Sequence, residues 1–231
     1  MSSIFEIPED RHAERLAEKA KRLVHGSSIM LVFTPDWSNV VVGWSKKSLT
    51  ERGQVWKFPC GKSEVEDVPD IERADSTGAQ FANCASRECM NESGLSDINF
   101  EFIQPLRYVR HSYSREAGAL QQWHFLALLK EQVSLPTENF ENDEMGDPEY
   151  RSVVEVLRLP TRKNPIPQAQ KMNPFHQIAL AKCIIELRDC GLGDDPSFKC
   201  FKVLLRNIYD AGIDIDTYEL DVKAKIKSRE I

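Results

Sequence analysis

The sequence predicts an α+β fold in which one helix separates two groups of strands and further helices follow. Short runs rich in valine, isoleucine and aromatic residues alternate with turn residues before position 60 and again from position 99. Between these groups, and again after Pro167, apolar residues recur at helical spacing instead. No internal repeat is visible, so the order of these elements is the basis of the fold prediction.

The bulk composition indicates a globular protein without a membrane segment. Hydrophobic residues make up 41% of the 231 residues and charged residues 29%, with a formal net charge of -6. The sequence has no run of eighteen apolar residues, and its N-terminus has no apolar signal core. We therefore expect an intracellular, cytoplasmic protein with no membrane partner. The negative charge argues against surface-wide binding of long nucleic acid, and no DNA partner is expected.

The six cysteines include no C-x-x-C pair, so a structural zinc site is not expected. Their even number leaves disulfides open. The lack of a secretory signal and the size of the expected core favour reduced thiols.

In the N-terminal half, residues 8–25 are predicted to form a helix that Gly26 ends. The runs "SSIMLVFTP" and "NVVVGWSKK" predict a β-hairpin around the turn "DWSN". A third apolar run, "QVWKFPCGK", leads into a glycine loop. The acidic segment Val65–Gly78 is expected to be a solvated loop, and a helix is predicted from about Gln80 to Ser93.

In the C-terminal half, "NFEFIQPLRYVRHSYS" and "LQQWHFLALLKE" predict two strands, with "REAGA" turning between them. The acidic segment Pro136–Tyr150 is expected to be a loop, and "RSVVEVLRLP" a further strand. A helix is predicted from a cap at Asn173 to Gly191, and another in "PSFKCFKVLLRNIYDAG". The basic tail "VKAKIKSREI" is expected to fray.

The stretch "CASRECMNESGL" carries the chemistry. On a helix, Glu88, Asn91 and Glu92 project together, and carboxylates one turn apart can hold a hard divalent cation. Arg87 is expected on a different face, where it can pair with an acid elsewhere in the chain. Gly94 is expected to end the helix in the left-handed conformation. A solvated polar helix is the alternative interpretation of this stretch.

The stretch resembles the signature of the Nudix hydrolases when it is taken together with the upstream "WKFPCGK". That signature is Gly, five residues, Glu, seven residues, then Arg-Glu-apolar-x-Glu-Glu-x-Gly-apolar. The structural positions of this box correspond here to Gly61, Asp67, Arg87 and Gly94, and its acids to Glu88 and Glu92. "WKFPCGK" is similar to the branch of this family that acts on mRNA caps and diphosphoinositol phosphates.

The box is degenerate in two respects. The gap from Asp67 to Arg87 is longer than the family's, and Asn91 stands where the family has the first of two glutamates. The resemblance implies an α/β/α sandwich with a mixed sheet. It places a Nudix-like domain at 27–165, preceded by an N-terminal helix (1–26) and followed by a helical extension (166–231) packed on the domain.

The resemblance also implies a Mg²⁺ or Mn²⁺ cofactor. By position, the metal ligands would be Glu88, Glu92, the amide of Asn91 and the backbone carbonyl of Cys60. Glu92, Glu88 and Glu149 would be the catalytic acids, with Glu149, or Glu144 behind it, in the loop before the late strand. Because Asn91 is neutral, the resemblance implies reduced or metal-selective turnover.

Basic and aromatic residues near these positions are the candidate substrate contacts. Lys57 and Lys62 flank the glycine loop, and Arg107 and Arg110 lie on a predicted strand, where 107 and 111 share one face and 110 the other. For each of them a solvated position is the alternative. Core positions are predicted for Trp44, Trp56 and Trp123, and His124 is interpreted as a hydrogen-bonded sheet histidine.

Two functions follow from this interpretation. The first is a metal-dependent pyrophosphohydrolase acting on a nucleoside diphosphate linked to another moiety, as a small-molecule nucleotide or a capped RNA. The second is a catalytically impaired protein that binds RNA, a nucleotide or a protein. For a protein partner, the helices at Pro174–Gly191 and Ser197–Ala211 are the candidate surface, and simple packing on the domain is the alternative.

Overall fold

Eight strands of the described part of the chain form one mixed sheet in the computed structural model. The structure describes residues 13–19, 25–45, 55–70, 78–114, 118–136, 145–159, 171–190 and 198–228. The strands are β1 (Gly26–Phe33), β2 (Asn39–Ser45), β3 (Val55–Lys57), β4 (Cys60–Lys62), β5 (Phe100–Ser114), β6 (Gly118–Leu129), β7 (Met145–Ser152) and β8 (Lys171–Met172). The α-helices are α1 (13–19), α2 (Gly78–Ser93), α3 (Val153–Arg158), α4 (Pro174–Asp189), α5 (Lys199–Asp210) and α6 (Tyr218–Lys227).

The sheet combines two hairpins with parallel pairs. Its main path runs β5-β6-β1-β2-β3-β8, with β4 paired to β1 and β7 paired to β2. Strand β1 is parallel to β6 and β3 is parallel to β8, whereas the other pairs are antiparallel. Both predicted hairpins are confirmed: Phe33 pairs with Val40 in β1–β2, and Val109 with Trp123 in β5–β6.

Helices cover both faces of the sheet. Alternate residues of a strand point to opposite faces, so Met30 and Val32 of β1 pack with α2 on one side. Ile29, Leu31 and Phe33 pack on the other side, in the cluster that contains α3, α4 and α5. A strand buried on both faces is apolar throughout, as "IMLVF" is. The predicted α+β fold with a mixed sheet between two helical layers is confirmed.

Helix α4 is a layer of the main core. Its buried residues Leu180, Ile184 and Leu187 belong to the same hydrophobic cluster as the inner strands. Asn173 caps α4 as predicted, because its side chain accepts a hydrogen bond of 3.0 Å from the Phe175 amide. Gly191, predicted as its end, lies outside the described residues, and the helix ends at Asp189.

The prediction of a strand across "RSVVEVLRLP" was wrong. Strand β7 covers Met145–Ser152, and the following residues form α3. Valine and leucine at 153, 156 and 157 lie on one side of a helical turn, and all three are buried.

The prediction of a loop over Pro136–Tyr150 was wrong at its end, since Met145–Tyr150 pairs with β2. Residues 137–144 lie outside the described part of the chain.

The tail was also predicted incorrectly, because residues up to Lys227 belong to α6. Val222 is buried against Ile178 of α4, and Glu219 forms ion pairs with Lys182 and Lys223. Helix α6 is otherwise polar, and it is held on α4 by one apolar residue per helical turn and by the ion pair of Glu219 with Lys182. Of the predicted N-terminal helix 8–25, the structure describes residues 13–19, which are helical, and His25, which is not.

Within the described ranges, no helix combines the length and the apolarity that crossing a bilayer requires.

Candidate functional site

The candidate site lies where α2 meets the chain segment that connects β3 to β4. Trp56 belongs to the core on the α4 side, so the next residue of β3, Lys57, points towards α2. From α2, Glu88 and Glu92 project to this segment one helical turn apart. Both are buried, with 9% of Glu88 and 1% of Glu92 exposed. Two carboxylates are thus held close to the backbone of a glycine-containing strand.

The backbone of β4 fits closely around both carboxylates. The Cys60 amide donates a 2.8 Å hydrogen bond to Oε2 of Glu92. At Gly61, a β-carbon would lie 2.0 Å from Cδ and 2.1 Å from Oε1 of Glu88, which is closer than any side chain permits. A side chain at position 61 would therefore displace the carboxyl group of Glu88.

Lys57 is the counterion of Glu92. Its ammonium group contacts Oε1 of Glu92, and the lysine is only 8% exposed. Burial raises the pKa of Glu92 to about 7, while Lys57 and the Cys60 amide oppose that rise. Glu92 thus changes its charge near neutral pH. Lys57 lies neither in solvent nor at a surface where a phosphate would meet it first.

Arg87 ties α2 to the loop before it. Its Nε and Nη2 donate to the two carboxylate oxygens of Asp67 at 2.9 and 3.0 Å, and its Nη2 also donates to the Lys62 carbonyl at 2.9 Å. Asp67 is 2% exposed and accepts a further hydrogen bond from the Glu64 amide. The predicted pairing of Arg87 with a distant acid is confirmed, and Asp67 acts as its structural partner.

Arg87 also contacts Glu88, a contact that the sequence did not predict. Its Nη1 donates a 2.8 Å hydrogen bond to Oε1 of Glu88. The long guanidinium side chain reaches around the helix to the neighbouring carboxylate. Hydrogen bonding to Asp67 raises the pKa of Arg87, so it is a permanent cation beside Glu88.

The end of α2 has the predicted form, but its three polar residues differ in burial. Gly94 has φ of +73° and its amide donates to the Met90 carbonyl, so the helix ends in a left-handed glycine. Asn91 is exposed, in contrast to the buried Glu88 and Glu92. The neutral residue of the box is therefore the most solvent-accessible of the three.

Glu149 lies within β7, which corrects its predicted position in a loop ahead of the strand. It pairs in register with Val42, and its carboxylate contacts Nε of Arg151. The Arg151 guanidinium lies 4.0 Å from the centre of the Trp56 ring. The ion-pair partner described for Glu149 is therefore Arg151, a residue of the same strand. Glu144, the second choice, lies outside the described residues.

The predicted substrate-binding arginines contact α4. Arg110 lies 3.6 Å above the Phe175 ring, and the Arg107 amide donates to the carboxylate of Glu186. The predicted alternation of the side chains at 107, 110 and 111 assumes a regular strand. The register of β5 and β6 shifts between Pro105 and Val109, so an irregularity interrupts the regular pleat there. Lys62 is exposed, and the structure does not describe the His111 side chain.

Two histidines behind the site were not assigned correctly from the sequence. His124 was expected to be hydrogen-bonded, but neither ring nitrogen has a partner among the described residues, and it is 1% exposed. Burial, with a contribution from nearby Arg110, lowers the pKa of His124 to about 4. His176, which was not singled out from the sequence, accepts a 2.9 Å hydrogen bond at Nδ1 from the Phe58 amide.

The three predicted core tryptophans are buried to different degrees. Trp56 is in the core, whereas Trp44 and Trp123 are half-buried. Trp123 stacks on Phe81 of α2 with ring centres 5.5 Å apart, and Trp44 donates to Asp147 at 3.2 Å. All three make packing contacts with the protein itself.

The donor set at α2 fits one hard divalent ion better than a cluster of ions. Carboxylate oxygens are the ligands that Mg²⁺ prefers, and Glu88 and Glu92 offer them one turn apart. Among the described residues, no group of three or more histidine, cysteine or acidic side chains is arranged to hold a metal. Each of the two glutamates also has a cation of the chain beside it, Arg87 or Lys57.

Comparison with known proteins finds similar folds at low sequence identity. No protein-family profile and no curated protein sequence matches the chain. A Shewanella oneidensis NrtR structure is 15% identical, with a TM-score of 0.49, and the match covers 87% of this chain and 84% of that one.

Two further solved structures are each 10% identical to this chain. For an Escherichia coli dihydroneopterin triphosphate pyrophosphohydrolase the TM-score is 0.46, with 69% of this chain and 94% of that one covered. For a Caenorhabditis elegans Ap4A hydrolase it is 0.45, with 72% and 99% covered. Because every one of these TM-scores lies below 0.5, we infer function from the chain's own residues.

Proposed function

We propose that this protein is a divalent-metal-dependent hydrolase of the Nudix type that cleaves a phosphoric anhydride bond. One observation carries the proposal: Glu88 and Glu92 are both buried against the backbone of Cys60 and Gly61, one turn apart on α2. Buried carboxylates are costly unless a cation or hydrogen bonds compensate them. Two buried carboxylates packed against the backbone of β4 favour a site for a cation.

Each chain residue has a defined part in this proposal. Glu88 and Glu92, with the Cys60 carbonyl as a further candidate, would hold Mg²⁺ or Mn²⁺. The bound ion would neutralise the diphosphate and lower the pKa of an attacking water. Arg87 and Asp67 fix the rotation of α2, and the Cys60 amide orients Glu92. Glu88 and Glu92 would also be the catalytic acids, and a carboxylate oxygen that the ion leaves open could accept a proton from the attacking water.

The proposed substrate is a nucleoside diphosphate linked to a second moiety. The resemblance of "WKFPCGK" to the branch that acts on mRNA caps and diphosphoinositol phosphates adds capped RNA and inositol pyrophosphates to the candidates. Exposed Lys62, at the edge of β4, is the candidate contact for the phosphates. Arg107 and Arg110 are candidates for the second moiety, although their described contacts are with α4. Glu149 remains the candidate for a remote acid.

The proposal is tested by hydrolysis of a substrate panel with Mg²⁺ or Mn²⁺. The panel contains ADP-ribose, diadenosine tetraphosphate, capped RNA and an inositol pyrophosphate. We expect release of a phosphorylated product that is lost in Glu92→Gln and Glu88→Gln. The matched control is Glu101→Gln, at an exposed glutamate of β5, which should leave the rate unchanged. Release that survives both site variants would refute the assignment of this site.

A second function, binding without hydrolysis, is favoured by the charges around the two glutamates. Asp67, Glu88 and Glu92 are contacted by Arg87 and Lys57, so these five groups carry one net negative charge when the acids are ionised. Asn91→Glu adds a carboxylate to α2 and is expected to increase turnover if hydrolysis occurs. No product release by the wild type or by Asn91→Glu, with retained binding of RNA or nucleotide, would support this second function.

A further inference from the structure

Lys57 occupies the position beside Glu92 that a bound cation would need. Its ammonium contacts Oε1 of Glu92, on the α2 side of the sheet, while the Cys60 amide takes Oε2 at 2.8 Å. We propose that Lys57 is an internal cation that competes with a divalent metal ion for Glu92 and so sets the metal affinity of the site. This inference rests on the proposed metal site and concerns its regulation.

The competition follows from charge and burial. A metal ion on Glu92 and the Lys57 ammonium would be separated by little more than one carboxylate group. They would repel each other strongly because Glu92 and Lys57 are both buried, where solvent screens charges poorly. Lysine has a flexible four-carbon stem, so the Lys57 ammonium can move away from Oε1 of Glu92 when a metal ion binds there. Without a metal ion, the Lys57 ammonium balances the negative charge of Glu92. A metal ion that binds Glu92 has to displace this ammonium.

Lys57 is not needed to orient Glu92, which separates competition from a purely structural role. The Cys60 amide holds Oε2, and Arg87 with Asp67 fixes the rotation of α2. Removal of the ammonium therefore leaves the carboxylate in place with one oxygen available. If Lys57 acted only as a structural ion pair, its removal would weaken metal binding by disordering the carboxylate.

The test compares Mn²⁺ affinity by isothermal titration calorimetry in the wild type and in Lys57→Met. Measurement at about pH 8.5 keeps Glu92 largely ionised in the wild type, because that pH lies above its pKa of about 7. Loss of Lys57 removes two contributions that lower the pKa of Glu92, so the titration is repeated at a second, higher pH to separate proton competition from metal competition. We expect Lys57→Met to bind Mn²⁺ at least about tenfold more tightly, because the repulsion is removed. Lys57→Arg, which retains the charge, should bind with no more than wild-type affinity. Lys225→Met, at an exposed lysine of α6, is the control for the loss of a lysine and should change the affinity little.

The possible results separate this inference from the proposed function. Tighter binding in Lys57→Met, abolished by adding Glu92→Gln, supports both. Unchanged or weaker binding in a Lys57→Met protein that melts cooperatively would overturn the competition and leave the metal site intact. If neither the wild type nor Lys57→Met binds Mn²⁺, the metal-dependent function fails, and the inference fails with it.

Discussion

Gly61 lies directly against the carboxyl group of Glu88, so close that a β-carbon at position 61 would be 2.0 Å from Cδ. The position of Glu88 on α2 therefore depends on the absence of a side chain at Gly61 of β4. Any side chain at position 61 has to displace Glu88 or move β4 away from α2. Since Ser28 of β1 pairs with Gly61, a shift of β4 would also disturb the central strand.

We therefore predict that Gly61→Ala lowers both stability and activity. The added methyl group overpacks a buried contact, which typically costs about 1–3 kcal/mol. Displacement of Glu88 should also weaken Mn²⁺ binding. Urea denaturation followed by circular dichroism measures the first effect, and calorimetry the second.

Gly78→Ala is the matched control for this substitution. A β-carbon at Gly78, the first residue of α2, would lie 3.4 Å from the Trp123 ring, which is ordinary contact. Because alanine also favours the helix, stability should remain or rise slightly. Equal effects of the two substitutions would show that the contact with Glu88 does not decide the need for glycine at position 61.

The Arg87–Asp67 pair is predicted to contribute measurably to the free energy of unfolding. Its two hydrogen bonds of 2.9 and 3.0 Å involve a carboxylate that is almost fully buried. A double-mutant cycle with Arg87→Met and Asp67→Asn should give a coupling of about 1–3 kcal/mol. Arg87→Lys should restore little of it, because an ammonium cannot donate to both oxygens in the guanidinium geometry.

The Arg188–Asp216 pair provides the comparison, because it has the same bidentate form at the surface. Its nitrogen–oxygen distances are 3.0 and 2.8 Å, and the Asp216 side chain is 63% exposed, whereas Asp67 is almost fully buried. Solvent screens such pairs, so the coupling from Arg188→Met and Asp216→Asn should be clearly smaller. A coupling at the surface as large as that at Asp67 would contradict the role assigned to burial.

The order of the elements and the helix with its two acids were predictable because both leave local signals. Apolar alternation identified the hairpins, and helical spacing identified α2 and α4. At α3 the strand prediction was wrong because it relied on the three β-branched valines of "VVEV". Tertiary burial of Val153, Val156 and Leu157 on one helical side decides that segment instead.

The contacts across the site were not predictable, because they depend on register and packing. Lys57 reaches Glu92 only because β3 presents alternate residues to α2, and no local signal in "WKF" specifies which face is which. His176 meets the Phe58 amide across 118 positions of sequence. Its buried position on α4 follows from where that helix packs on the sheet.

Thiol reactivity is predicted to follow exposure. None of the six cysteines forms a disulfide in the described part of the chain. Cys190 and Cys200 are exposed, whereas Cys84 and Cys89 are buried in α2. Burial raises the pKa of Cys84 and of Cys89 to about 12, which disfavours the reactive thiolate. A thiol reagent followed by peptide mass mapping should modify Cys190 and Cys200 first. Early modification of Cys84 or Cys89 in folded protein would contradict the packing of α2.

The last prediction concerns acid stability and rests on His124. Its pKa is lowered from 6.5 to about 4 by burial, so the unfolded state takes up a proton that the folded state does not. The free energy of unfolding is therefore not reduced by this histidine above about pH 6.5, and it falls progressively as the pH is lowered from about 6.5 to about 4. The shift corresponds to about 3 kcal/mol over that window, at about 1.4 kcal/mol for each pH unit.

His124→Phe removes this titration while keeping a flat ring beside Tyr108, whose ring centre is 5.1 Å away. Urea denaturation between pH 4 and pH 7 should therefore show a shallower loss of stability for His124→Phe than for the wild type, by about one proton's slope. The exposed His25 supplies the control, since His25→Gln should leave the wild-type profile unchanged. Identical profiles for His124→Phe and the wild type would mean that the acid transition is set by other groups, such as the buried His176.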